Sequence, residues 1–179
     1  MKAITSTILL IALAVMTSCE GPMGPAGYDG FDGEDGVNIQ GSIFEFTDDF
    51  TNANDFSLSY SFPNGFEIYS TDIVMVYILW EQADYGGETV DVWRALPQTV
   101  VLNEGVIQYN FYHTVYDVRV FIDETVGELR PEETQNQTFR IAVLPAAWGS
   151  TKSIDITDMN AVMKSMDMTS KSVKKISIK

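Results

Sequence analysis

The chain has 179 residues, a formal net charge of −14, and 45% apolar side chains. That is enough apolar content for a packed domain and argues against a disordered chain. The acidic balance disfavours nucleic acid, whose phosphates attract Lys and Arg. The single cysteine, Cys19, excludes an intramolecular disulfide.

Lys2 supplies a positive N-terminal region, and Ile8 to Met16 is an apolar run of signal-peptide length, too short to span a bilayer. The run ends at Met16-Thr17-Ser18-Cys19, where small residues precede a cysteine. This pattern predicts a lipoprotein signal peptide over 1–18 and lipidation at Cys19. A single acyl chain holds a protein only marginally, whereas two give stable attachment. The expected partner of this end is therefore a membrane.

Six triplets follow, from Gly21-Pro22-Met23 to Gly36-Val37-Asn38, with glycine at every third position. This is the collagen pattern, in which only glycine fits the axis of three chains. The last four triplets lack proline and carry Asp29, Asp32, Glu34 and Asp35, so three chains would crowd like charges together. Residues 19–38 therefore read as a lipidated cysteine and an extended single-chain spacer in preference to a trimer stalk. An EF-hand calcium loop does not fit the Asp-Gly spacing of three.

Residues 39–179 read as the folded domain. Leu58, Tyr60 and Phe62 alternate, and Pro63-Asn64-Gly65 is a hairpin signal. Ile73 to Trp80 is apolar on both faces and reads as a central strand, with Trp80 in the core. Gly86-Gly87 turns into a strand over Thr89 to Arg94, and Asn103-Glu104-Gly105 joins Val100–Leu102 to Val106–Tyr109. Ile107, Tyr109 and Phe111 put the apolar face on odd numbers, whereas Tyr116, Val118, Val120 and Ile122 put it on even numbers. A period of two changes parity only through a turn or an inserted residue, so a break falls near His113 to Val115. Phe139 to Leu144 is a further strand, stopped by Pro145.

Met159, Val162, Met163 and Met166 recur at helical spacing behind the candidate caps Asp155 and Thr157. Val173 to Ile178 alternates as a last edge strand. The prediction is a mainly β domain, an antiparallel β-sandwich or jelly roll with one short C-terminal helix. Six of the eleven basic residues lie from Lys152 onward. That tail either packs on its own acidic body, the favoured reading, or meets an anionic partner.

Catalytic chemistry has little to work with. His113 is the only histidine, so a metal site of several His or Cys ligands within one chain is excluded, and His113 reads as a strand-break residue. No P-loop is present, and no cofactor is expected. Carboxylate catalysis survives by elimination, with Asp84, Glu88, Asp91, Asp117, Asp123 and Glu124 as candidates by location only. Trp93 and Trp148 are the candidate ligand-binding aromatics.

The lipobox cysteine, the run Glu20-Gly21-Pro22-Met23-Gly24-Pro25, the Asp-Gly triplets and the acidic β domain resemble the small collagen-repeat lipoproteins of Bacteroidetes-type bacteria. Ala95-Leu96-Pro97-Gln98-Thr99, Thr134-Gln135-Asn136-Gln137 and Val143-Leu144-Pro145-Ala146-Ala147 extend that resemblance along the chain. It implies an outer-membrane envelope location and no established activity. Relatives sometimes carry a dihydrolipoamide dehydrogenase label, which this sequence contradicts: no G-x-G-x-x-G joins a strand to a helix, and no redox cysteine pair exists. The expected function is a non-catalytic, membrane-anchored binding or structural module for an unknown protein or glycan. The alternative is a carboxylate-dependent glycan hydrolase or a glycan-binding protein.

Overall fold

Two sheets packed face to face form a sandwich. A computed structural model describes residues 41–146 and 154–177; the expected signal peptide over 1–18, Cys19, the triplets and Trp148 lie outside them. The strands are β1 Ser42–Asp48, β2 Ser57–Ser61, β3 Ile73–Tyr85, β4 Glu88–Ala95, β5 Gln98–Leu102, β6 Gly105–His113, β7 Asp117–Glu124, β8 Gln137–Leu144 and β9 Lys174–Lys175. One sheet has the order β4-β3-β8-β1-β9, the other β2-β7-β6-β5. Two short α-helices, α1 Pro131–Thr134 and α2 Met159–Ser165, and 3-10 turns at Asn52–Asn54 and Ser170–Ser172 complete the described elements.

Strand alternation sorts side chains into two layers. Phe44, Val76 and Phe139 of the five-stranded sheet meet Leu58, Ile107 and Val120 of the four-stranded sheet in the central core. The opposite face of the five-stranded sheet presents Ile43, Tyr77, Ala142 and Leu144, and Met159, Val162 and Met163 of α2 cover them. This second layer explains why β3 and β8 are apolar on both faces while β7 alternates: both faces of the five-stranded sheet are buried. Each α2 side chain buried here contributes roughly 1.5–3 kcal/mol, without which a helix of seven residues would not persist. Tyr77 reaches through the layer, and its hydroxyl donates to the Ile156 carbonyl.

Several expectations are corrected. The Pro63–Gly65 turn exists, closed by the Phe66 N–H donating to the Pro63 carbonyl at 2.9 Å, but it does not join a hairpin. β2 and β3 belong to different sheets, because Phe62 and Phe66 both pack on Phe44 and carry the chain across the core edge. β3 runs past Trp80 to Tyr85, with a register shift between Leu79 and Glu81 that places Trp80 in a bulge. Trp80 is half-buried there, under Arg94, whose guanidinium lies 4.1 Å from the ring. The parity break is a turn: the Thr114 N–H donates to the Asp117 carbonyl at 2.9 Å, and Tyr116 stands 78% exposed outside the core.

The cap of α2 is Asp158, not Asp155 or Thr157. Its carboxylate accepts from the Asn160 N–H at 2.9 Å and the Ala161 N–H at 3.3 Å. Asp155 instead closes the preceding turn through both the N–H and hydroxyl of Thr157. The single turn α1 was missed; Pro131 starts it, and no apolar periodicity announces so short a helix. The last strand is only two residues long and runs parallel to β1.

Tyr60 is buried beside Phe44 and Phe46, and its hydroxyl finds no partner among the described residues. Burial pushes this phenol up to about 12. Removing an unsatisfied polar atom removes its desolvation cost. Tyr60→Phe is therefore expected to be neutral or stabilising by ~1 kcal/mol in urea unfolding; a loss of that size would show that the hydroxyl is satisfied.

Glu133 closes the opposite edge. Its carboxylate accepts from the Arg130 N–H at 2.6 Å and from the Arg130 guanidinium. Burial pushes its carboxyl up, but these Arg130 contacts override burial and hold it below the usual carboxylate value of 4.5. A carboxyl depressed in the folded state adds stability that is complete above the unfolded value and disappears as pH falls through the folded one. The native chain should therefore lose more stability than Glu133→Gln between about pH 6 and about pH 3, as read by urea midpoints. Parallel curves for the two would remove Glu133 as the source.

Candidate functional site

A cleft lies on the α2 side of the five-stranded sheet. Strand register assembles its floor. Arg140 of β8 is opposite Glu45 of β1 and Tyr77 of β3, and Tyr77 is opposite Ala95 of β4. Trp93, two residues before Ala95, shares that outward face. Arg140 Nε donates to Glu45 Oε2 at 2.8 Å, and its guanidinium lies over the Trp93 ring, 4.0 Å from the centroid. Nη1 reaches Met163 Sδ at 3.6 Å. Lys175 Nζ also approaches Glu45, at 3.3 Å from Oε1.

The cleft above this floor has a volume of about 560 Å³. One wall is the end of β4, from Thr89 to Asp91; the other is Asn160 and Lys164 of α2 with the segment Asp167 to Ser170. A cavity of this size suits a small molecule, and its combination of an aromatic plate with a few polar groups is typical of binding sites. Asp91 accepts a 2.8 Å hydrogen bond from the Gln82 amide, which holds its carboxylate on the outward face. Asp167 turns the chain with a left-handed φ of 54°.

The open face of the four-stranded sheet is a second surface. No described element covers it. Tyr112 and Phe121 pair at 5.7 Å, and Arg119 donates to the Ser57 hydroxyl and to Tyr112. Asn110 bridges Gln108 and Asp123, and Gln108 donates to Thr99. These polar groups satisfy one another within the face, so they hold few free donors for a ligand. The Trp93 cleft differs in that its buried cation is incompletely satisfied.

Of the sequence-derived candidates, Trp93 lies at the cleft. It is half-buried, and Arg140 occupies one of its ring faces, which removes that face as a stacking platform. Trp148 and Cys19 lie outside the described residues. His113 ends β6 at the strand break and is exposed.

The six candidate acids fall in three places: the β3–β4 turn, the Trp93 cleft, and β7, where Asp123 and Glu124 line one groove with Asp55. Asp84 accepts from the Gly87 N–H in the β3–β4 turn, with Glu88 beside it. Asp91 lines the cleft. Asp117 accepts from the Thr114 hydroxyl, and Asp123 accepts from Asn110 at 2.7 Å, both on the four-stranded sheet. Glu124 ends β7. Among the described residues no group of three His, Cys, Asp or Glu side chains is placed to hold a metal ion, and no helix is long and apolar enough to cross a membrane.

Arg140 is the site residue that sequence reasoning missed. The signal was present: Phe139-Arg140-Ile141-Ala142-Val143-Leu144 puts one cation inside an apolar strand. A strand buried on both faces accepts such a charge only with a partner.

No protein-family model, curated protein sequence or solved structure matches this chain.

Proposed function

We propose that this chain is a lipid-anchored envelope protein of the collagen-repeat type, whose sandwich domain is a non-catalytic binding module using the Trp93 cleft. The observation that carries the binding role is the buried Arg140 guanidinium, 5% exposed, set on an aromatic plate at the floor of an open cleft. Asp91 and Asp167 stand on the two walls of this cleft, so carboxylate hydrolysis, which needs two acids about 5–9 Å apart across one bond, is the alternative reading. The lipobox ending at Cys19 supports the anchor, and the glycine triplets support a spacer between membrane and domain.

Two measurements test this reading. Mass spectrometry of the N-terminal peptide should find acyl chains on Cys19, and Cys19→Ala should shift the protein from the membrane to the soluble fraction. An unmodified thiol, or unchanged partitioning of the variant, would refute the anchor. A glycan array and capture from envelope extract with the soluble chain should give binding that Arg140→Lys weakens. Glycan turnover abolished by neutralising a single acid would replace the binding role with hydrolysis.

A further inference from the structure

We infer that the Trp93 cleft takes a small zwitterion of the α-amino acid type, its carboxylate on Arg140 and its ammonium among the acids of the rim. The inference rests on the reading of this cleft as the binding site and adds the chemistry of its occupant. A guanidinium offers five N–H donors. In Arg140, Nε is taken by Glu45 and Nη1 faces only the thioether of Met163, a weak acceptor. Nη2 has no acceptor among the described residues, yet it is not a buried atom left without a partner; among the described residues that is Tyr60 Oη alone, in the central core. Nη2 therefore keeps access to the cleft that Arg140 lines.

Charge supports an anionic group at this depth. Glu45 is shared between Arg140 and Lys175, so its single negative charge leaves the Arg140 guanidinium only partly neutralised. Glu45 and Trp93 both contact the guanidinium, and its fork of donors matches a carboxylate edge better than a point charge does. The rim is mixed, with Lys164 on the α2 wall and a net charge of −1 from Asp91, Asp167 and Lys164. Asp91 and Asp167 line it on either side, and the whole chain is at −14. A simple anion would be repelled on approach, whereas a zwitterion is neutral at a distance and meets both signs in place. Val90, Met163 and Met168 line the same cleft and accommodate an apolar side chain carried on the zwitterion's α-carbon.

The test uses the mature full-length chain with Cys19→Ser, titrated calorimetrically with leucine, with acetate and with butylamine. Leucine should bind saturably and on the order of tenfold more tightly than either fragment. Arg140→Lys, which keeps a cation beside Glu45, should weaken leucine on the order of tenfold. Asp91→Asn should weaken leucine without weakening acetate, from which it removes a repelling charge. Thermal unfolding of each variant confirms that the fold persists. Absence of saturable leucine binding to the folded native chain overturns the inference, as does acetate binding equal to leucine. Captured envelope ligand that is lost in Arg140→Lys without any leucine binding would refute the zwitterion and keep the cleft; captured ligand unaffected by either variant would refute the cleft itself.

Discussion

Phe44→Ala should lower the unfolding free energy by about 4 kcal/mol, a large share of the roughly 5–15 kcal/mol that holds a domain of this size. Phe44 is fully buried in β1. Its ring touches Tyr60 of the facing sheet at 5.5 Å, and Phe62 and Phe66 at 6.0 and 5.1 Å. Lys174 of β9 caps the same ring at 5.4 Å. Truncation removes the transfer free energy of the ring and leaves a cavity that strands held in register on both sides cannot close. It also removes the surface on which the inter-sheet turn Pro63–Phe66 rests. Urea unfolding checks this: the midpoint should fall with little change in slope. Phe44→Leu should cost less than half as much, because most of the volume is kept. A loss under about 2 kcal/mol for the alanine variant would mean that the turn collapses into the space.

Glu45→Ala, one position along, should cost about 3 kcal/mol for a different reason. Glu45 points to the opposite face and accepts from Arg140 Nε, with Lys175 on its other oxygen. Both Glu45 and Arg140 are largely buried. Removing the carboxylate strands a guanidinium under α2 with a thioether and an indole ring as its remaining partners. The cost is chiefly the uncompensated buried charge and not the lost bond, since an ion pair so placed offsets its own desolvation only in part. The double variant Glu45→Ala, Arg140→Met should therefore recover much of the loss. Urea midpoints for the two single variants and the double variant close the cycle. If the losses simply add, the two side chains are energetically independent and the pairing is refuted.

The two predictions rest on adjacent residues that serve different layers, and this is where sequence and structure divide. Alternation at Leu58–Phe62, the parity change around His113, the apolar runs at Ile73 and Phe139 and the helical spacing of Met159, Val162 and Met163 were all legible. Each is a local consequence of a period of two or 3.6 residues, so a sandwich with one C-terminal helix follows without knowing any pairing. The Pro63–Gly65 turn was legible as a turn, but not as a crossing between sheets. Turn chemistry sets only the backbone of four residues, whereas the sheet a strand joins depends on distant partners such as Phe44.

The site was less legible still. Trp93 could be singled out by type, and Arg140 could have been singled out as a charge in an apolar run. Their meeting depends on β8 lying between β3 and β1, with β3 in turn beside β4. The sequence by itself determined the alternating strands, the lone histidine and cysteine that exclude whole classes of chemistry, and the lipobox and glycine triplets that carry the expected anchor and spacer. Only the tertiary structure decided which face of each strand the C-terminal helix covers, that a buried Arg–Glu pair lies beneath it, and that this pair opens into a cleft. The physical reason is range: periodicity and turn propensity act over a few neighbouring residues, whereas a buried charge meets its partner through pairings that span 95 positions of the chain.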